Sequence, residues 1–82
     1  MALPMSAPAL IYALSDRADA REVVNEAIAG YGHIQSATPL PQGVEFELLV
    51  APNGVVGICN YLRNNGFSMT GHLHLEKTGF AL

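Results

Sequence analysis

Two histidines, His72 and His74, stand one residue apart in the segment GHLHLE at residues 71–76. In an extended strand, alternate side chains share a face and lie about 7 Å apart, at about 3.4 Å of rise per residue. Two imidazoles in this arrangement can bind one Zn²⁺, Ni²⁺ or Cu²⁺ ion, but a stable site needs a third or fourth ligand. The alternative is that both histidines are ordinary polar residues on the outer face of a half-buried strand.

Few residues could complete such a metal site. Cys59 stands on the apolar side of a predicted helix and is expected to be a small core residue. His33 belongs to a strand two places away from the strand of His72 in the topology derived below, which is too far for a shared ion within one chain. The other candidates are three carboxylates: Glu45, Glu47 and Glu76. A metal site would therefore need a second chain, so that two His-x-His pairs meet across an interface.

The segment SDRAD, residues 15–19, concentrates a hydroxyl, two carboxylates and a guanidinium at the expected start of a helix. One interpretation is structural: Asp16, Asp19 and Glu22 compensate the positive end of the helix dipole, and Asp19 with Glu22 has the form of a capping box. The other interpretation is a ligand-binding loop, because the free amides at a helix N-terminus attract anionic groups. The sequence leaves both interpretations open.

Composition narrows the class of protein. The chain has 82 residues, one cysteine and a net charge of −3, and its four basic residues stand singly along it. Nucleic-acid binding needs clustered positive charge, so we expect none. A lone cysteine is typical of a reducing compartment, which predicts a cytoplasmic protein, and no apolar run reaches the ~18–20 residues that a membrane span needs. GxSxG, P-loop, CxxC and HExxH motifs are absent, so we predict no catalytic activity and no cofactor.

The order of the predicted elements determines where these residues lie. Compact apolar runs and strict alternation predict strands at 9–14, 33–38, 44–50 and 67–76. Apolar residues at helical spacing predict one helix within SDRADAREVVNEAIAGYG and another within APNGVVGICNYLRNNG, where Asn53 is the candidate N-cap. Residues 1–8 are predicted to be a flexible N-terminal arm and residues 77–82 a C-terminal tail, which leaves a single domain over 9–76.

The β-α-β-β-α-β order predicts an α+β fold of the ferredoxin-like, split-sandwich type. We expect an antiparallel sheet in the spatial order 4-1-3-2, with both helices on one face. On the last strand, alternation predicts Met69, Leu73 and Leu75 on one side, and the other side would carry Thr70, His72, His74 and Glu76. Both rows of the first strand are apolar, so one of them must face away from the helices. An uncovered apolar face favours self-association, and we predict a homodimer.

Three segments together resemble an ACT domain, a small regulatory module that senses amino acids and similar metabolites. The segment ALSDRADAREVVNEAIAGYGHIQSA is similar to the family's first strand, ligand loop, first helix and entry into the second strand. VEFELLV resembles the third strand, and VVGICNYLRNNGFSM resembles the second helix and the start of the last strand. The likeness covers residues 9–76. It departs from the family pattern at Ala18 or Asp19, where glycine is common, and at His33, where asparagine is frequent.

The resemblance implies a non-catalytic regulatory domain that pairs as a homodimer and binds a small effector at the seam. Carried over position by position, it implies these ligand-binding residues: Ser15, Asp16, Arg17, Ala18, Asp19, Gly32, His33 and Ile34. Regulation would follow from tighter binding of the effector by one arrangement of the dimer. Two alternatives stay open: a dimeric sensor that binds a divalent transition metal through His72 and His74, and a protein–protein interaction module that docks on a partner enzyme.

Overall fold

The computed structural model describes residues 8–74 and contains four strands and two helices in the order β-α-β-β-α-β. The strands are β1 (Ala9–Ser15), β2 (Gly32–Leu40), β3 (Gly43–Val50) and β4 (Ser68–His74). The helices are α1 (Ala20–Ile28) and α2 (Val55–Asn64), and a 3₁₀ turn over Pro52–Gly54 leads into α2. The predicted tail, and the predicted arm apart from Pro8, lie outside the described residues, as do Leu75 and Glu76.

The four strands form one antiparallel sheet in the order β2-β3-β1-β4. Read from the other edge this is the order 4-1-3-2, so the predicted α+β, ferredoxin-like fold is confirmed. β1 lies in the interior of the sheet, where its Ile11 pairs with Leu48 of β3 and with His72 of β4. Both edges of β1 are therefore hydrogen-bonded within the sheet.

One side of the sheet and both helices enclose the core. The strands contribute alternate side chains to it, namely Ala9, Ile11, Ala13, Phe46, Leu48 and Val50. The helices contribute their apolar stripes, which include Ala20, Val23, Val24, Ile28, Ile58 and Leu62. Both helices therefore lie on the same side of the sheet, as predicted. Neither of them is long and apolar enough to cross a membrane, within the part of the chain that the structure describes.

The other side of the sheet, here named the open face, bears no helix among residues 8–74. It is built on Leu10, Tyr12 and Leu14 of β1, which alternate with buried residues. Directly paired residues of antiparallel strands point to the same side. The register therefore also places on the open face His33, Ser36, Thr38, Leu40, Gly43, Glu45, Glu47, Leu49, Ser68, Gly71 and Leu73. The prediction that one apolar row of the first strand faces away from the helices is confirmed.

β4 contains a β-bulge next to the centre of the sheet. Met69 pairs with Ala13 whereas Gly71 pairs with Tyr12, so Thr70 is an extra residue between two paired positions. A single extra residue moves the side chains that follow it to the opposite face of the sheet. The hydroxyl of Thr70 binds Glu45 of the open face, so the strict alternation predicted for this strand holds as far as Thr70 and is wrong beyond it.

The bulge exchanges the predicted sides of the residues that follow it. Leu73 pairs with Leu10 and lies on the open face, where 43% of its surface is exposed. His72 pairs with the buried Ile11 and lies on the side of the sheet that carries the helices. The prediction that His72 belongs to the polar side opposite the helices is therefore wrong.

The helices begin without the side-chain caps that the sequence predicted. The residue before α2 is Gly54 rather than Asn53, and no side chain caps this helix. Gly54 is buried, and a Cβ there would lie 2.6 Å from the ring of Tyr31, so the approach to α2 requires glycine. Asp19 precedes α1 but makes no capping hydrogen bond, because its carboxylate binds Arg17 instead. The predicted capping box does not form.

Candidate functional site

The β1–α1 loop, residues 16–19, forms one wall of an open cleft at the end of the sheet where β1 ends. The cleft has a volume of about 570 Å³, and its opposite wall is the turn between β2 and β3. Its lining residues are Ser15, Asp16, Arg17, Pro39, Leu40, Pro41, Gln42, Gly43 and Val44. A smaller depression of about 250 Å³ continues from Asp16 and Gln42 towards Gly66 and Ser68. The cleft is large enough for a small metabolite and is open to solvent.

Gly43 brings the two walls of the cleft into contact. Its φ of 142° lies in the region that favours glycine. A Cβ at this position would overlap the backbone carbonyl of Ser15 and lie 3.0 Å from the amide nitrogen of Asp16. The loop and the turn therefore meet backbone to backbone, which fixes the floor of the cleft.

Arg17 is oriented by an ion pair with Asp19. Its Nε lies 2.8 Å from Oδ1 of Asp19, and its Nη2 lies 3.0 Å from Oδ2. A third bond joins Nη1 to the carbonyl oxygen of Asn65, 3.0 Å away at the end of α2. The hydrogen bonds from Arg17 hold the pKa of Asp19 below its ordinary value and raise the pKa of Arg17. Because the pair is exposed, it positions the guanidinium more than it stabilises the fold.

The cleft wall carries a cationic and an anionic group side by side. A guanidinium has five N–H donors. Three are used within the chain, which leaves two of those of Arg17 for a ligand. The neighbouring Asp16 is exposed. Ser15 is buried, and its Oγ accepts a hydrogen bond of 3.1 Å from the backbone amide of Arg17, so the hydroxyl stabilises the loop.

The structure brings together five of the predicted ligand-binding residues and separates the other three from them. Ser15 ends β1 and residues 16–19 form the loop beside the cleft, where Ala18 and Asp19 are exposed. Residues 32–34 lie at the other end of the sheet, where Gly32 pairs with Val50, which in turn pairs with Ala9. The length of β1 places residues 32–34 about 20 Å from the loop, at about 3.3 Å per residue. One small metabolite cannot touch both groups of a single chain.

The metal alternative has no complete ligand set in the described part of the chain, where no three His, Cys, Asp or Glu side chains lie together. His33 and His72 belong to opposite edge strands and to opposite sides of the sheet. Cys59 packs against the core, as predicted, and burial raises the pKa of its thiol. A thiol with a raised pKa is a poor metal ligand, because the thiolate is the binding form.

Sequence reasoning missed a hydrogen-bonded group on the open face. The hydroxyl of Tyr12 donates to Oε2 of Glu47 at 2.6 Å, and that of Ser36 donates to Oε1 at 3.2 Å. The hydroxyl of Thr70 donates to Oε2 of Glu45 at 2.7 Å. The bond to Glu47 raises the pKa of Tyr12, which keeps this hydroxyl a donor. Only the strand pairing could have indicated this group, because its members come from all four strands.

Comparison of the chain with known protein families, with curated proteins and with solved structures finds no match. The resemblance to an ACT domain therefore depends on the segments quoted above. The fold is supported by the order of the strands and the placement of the helices.

Proposed function

We propose that the chain is a non-catalytic, ACT-like regulatory domain that binds an amino acid or a similar small metabolite as a homodimer. The observation that carries this proposal is the cleft whose wall presents Asp16 beside Arg17. A free α-amino acid carries its ammonium and its carboxylate on the same carbon atom. Asp16 would accept hydrogen bonds from the ammonium, and the unused N–H groups of Arg17 would donate to the carboxylate.

A second copy of the chain would unite the two separated groups of predicted ligand-binding residues. β2 is an edge strand, so one row of its backbone N–H and C=O groups can pair with another chain. Antiparallel, two-fold pairing of two β2 strands would bring residues 32–34 of one copy beside Pro39 and Leu40 of the other. Pro39 and Leu40 line the cleft. The seam of such a dimer would therefore add His33 of the second copy to the site.

This arrangement couples effector binding to the formation of the dimer. An effector that touches both copies at the seam binds the dimer more tightly than the monomer. By linkage, the same effector must shift the population towards the dimer. The dimer is then the form that a regulated partner enzyme would recognise, and the effector sets how much of it is present.

A thermal-shift screen of free amino acids and related metabolites tests the proposal. A ligand present at about 100 times its Kd stabilises the folded state by about 2.7 kcal/mol. For a domain of this size, that raises the Tm by on the order of 10 °C. We expect Asp16→Asn to abolish the shift because it removes the acceptor charge for the ammonium with almost no change in shape.

The matched control is Glu22→Gln, which removes one negative charge from an exposed position of α1 outside the cleft. This variant should retain the full ligand-induced shift. Equal responses of the two variants, or a screen in which no metabolite raises the Tm of the unaltered protein, would contradict the proposal.

A further inference from the structure

The open face has an apolar part that runs across three strands. Leu10 of β1 pairs with Leu49 of β3 on one side and with Leu73 of β4 on the other. Three leucines of neighbouring strands therefore form one continuous row. All three are accessible to solvent, and Leu73 exposes 43% of its surface. A contiguous group of accessible apolar side chains indicates a binding surface.

An acidic part lies directly beside this leucine row. Glu47 stands two residues before Leu49 on β3, and Glu45 stands two residues before Glu47. Their carboxylates are held by the hydroxyl groups of Tyr12, Ser36 and Thr70. An ionised carboxylate offers about four acceptor positions. Glu47 uses two of them and Glu45 one, so both carboxylates are held in position and can accept further hydrogen bonds.

No lysine or arginine of the described chain belongs to the open face. Arg17 lies in the β1–α1 loop, Arg21 lies on α1 and Arg63 lies on α2. The guanidinium of Arg21 stands 5.8 Å from the ring centre of Phe46, which belongs to the core side of the sheet. Negative charge on the open face is therefore separated from the positive charge of the described residues.

The charge pattern disfavours a second copy of this chain as the occupant of the open face. Stacking two open faces would place four carboxylates in one interface, with no lysine or arginine of the described residues between them. Like charges in a desolvated interface repel strongly and must be neutralised before they can be buried. The β2-edge pairing proposed above leaves the open face of each copy uncovered, so that dimer does not compete for this surface.

We infer that the open face binds a segment of a different protein that presents a lysine or arginine flanked by apolar side chains. The cation pairs with Glu45 and Glu47, and the apolar flanks cover the row formed by Leu10, Leu49 and Leu73. Charge complementarity gives the orientation of the segment, because its basic and apolar parts must follow the acidic and apolar parts of the face. This binding does not require the effector cleft, which lies at the end of the sheet.

A pair of synthetic peptides tests the inference. The probe alternates lysine with leucine, and its matched control has glutamate in place of every lysine. We expect the lysine–leucine peptide to bind the unaltered protein and the glutamate–leucine peptide not to bind. In the Glu45→Gln, Glu47→Gln double variant, the affinity should fall by about tenfold or more, the usual effect of losing a charge-assisted hydrogen bond. Glutamine at position 45 still accepts from Thr70; glutamine at position 47 accepts one of the two hydroxyl hydrogen bonds through Oε1 and can donate from Nε2 to the other hydroxyl, so this variant keeps the sheet.

The control protein is the Glu22→Gln, Glu26→Gln double variant, which makes the same change of net charge on exposed positions of α1. It should bind the peptide as the unaltered protein does. Equal weakening in both double variants would reveal general electrostatic attraction and overturn the inference. Association of the Glu45→Gln, Glu47→Gln variant beyond a dimer by sedimentation would identify a second copy as the occupant of the open face, because β2 pairing accounts for the dimer alone, and would also overturn the inference. The amino-acid thermal shift should persist in this variant, so failure of the effector proposal can be distinguished.

Discussion

Asp19 shows how a single side chain can serve either of two neighbours. Its position before α1 favours a helix cap, but its carboxylate lies against the guanidinium of Arg17. The deciding contact is distant in sequence, since Arg17 also binds the carbonyl of Asn65 and is thereby held within reach of Asp19. Residue types alone predicted the charged loop and its placement at a helix start. They could not predict which pairs would form.

The pairing of Asp19 has a consequence that depends on pH. Its pKa in the folded state lies below the ordinary value of 3.8, so ionisation of Asp19 favours folding. This contribution is fully present above that value and disappears as the pH falls through the lower folded-state pKa. We expect Asp19→Asn to lower the Tm at neutral pH by a small amount, because the pair is exposed, and to leave it unchanged in strong acid. Thermal melts of the unaltered protein and of Asp19→Asn, from neutral pH to strong acid, measure this difference in Tm, with Glu22→Gln as the control. A difference that is constant with pH would refute the assignment.

At the scale of elements, periodicity correctly predicted which side of a strand or helix faces the core. It failed where the side depends on the register between two neighbouring strands. The alternation of β3 and the apolar stripes of both helices gave the core side correctly. The bulge of β4 was not predicted, because it depends on the neighbouring strand. The ring of Tyr12 lies against Gly71, where a Cβ would be 3.1 Å from Cδ1 of Tyr12. The sequence correctly placed the loop of residues 16–19 between the first strand and the first helix. It could not assign His72 to a side of the sheet, because that side depends on the bulge.

α2 has one face in the core and one face in solvent, which gives a matched pair of substitutions. Leu62 is fully buried, whereas 72% of the surface of Val56 is exposed. We expect Leu62→Ala to reduce the free energy of unfolding by about 2–5 kcal/mol, since it leaves a cavity between the helices and the sheet. Val56→Ala should change it by no more than about 0.5 kcal/mol, as is usual for surface positions. Urea denaturation of both variants measures the difference. Similar losses would show that α2 does not pack as described.

Considered as a whole, residues 8–74 offer three adjoining surfaces: the cleft, the outer edge of β2 and the open face. The overall fold could be predicted because it follows from the order and periodicity of the elements. The candidate site could be predicted only in part, because residues 32–34 lie far from the loop within one chain. If those residues contact the effector, a second chain must supply them. The oligomeric arrangement therefore decides whether the predicted site exists.

Ser36 provides a direct test of the proposed dimer, in which two β2 strands pair. It lies at the middle of β2, so two-fold antiparallel pairing of two β2 strands places it next to its own counterpart. Replacing Cys59, the one native cysteine, by serine allows a single new thiol to be introduced. We expect Ser36→Cys in this background to form covalent dimers under mild oxidation, with a higher yield when an effector from the thermal-shift screen is present. Ser68→Cys on β4, the opposite edge strand, should remain monomeric on denaturing gels. Equal cross-linking of the two variants would exclude the β2 seam, because a dimer paired through β2 keeps the β4 edges apart.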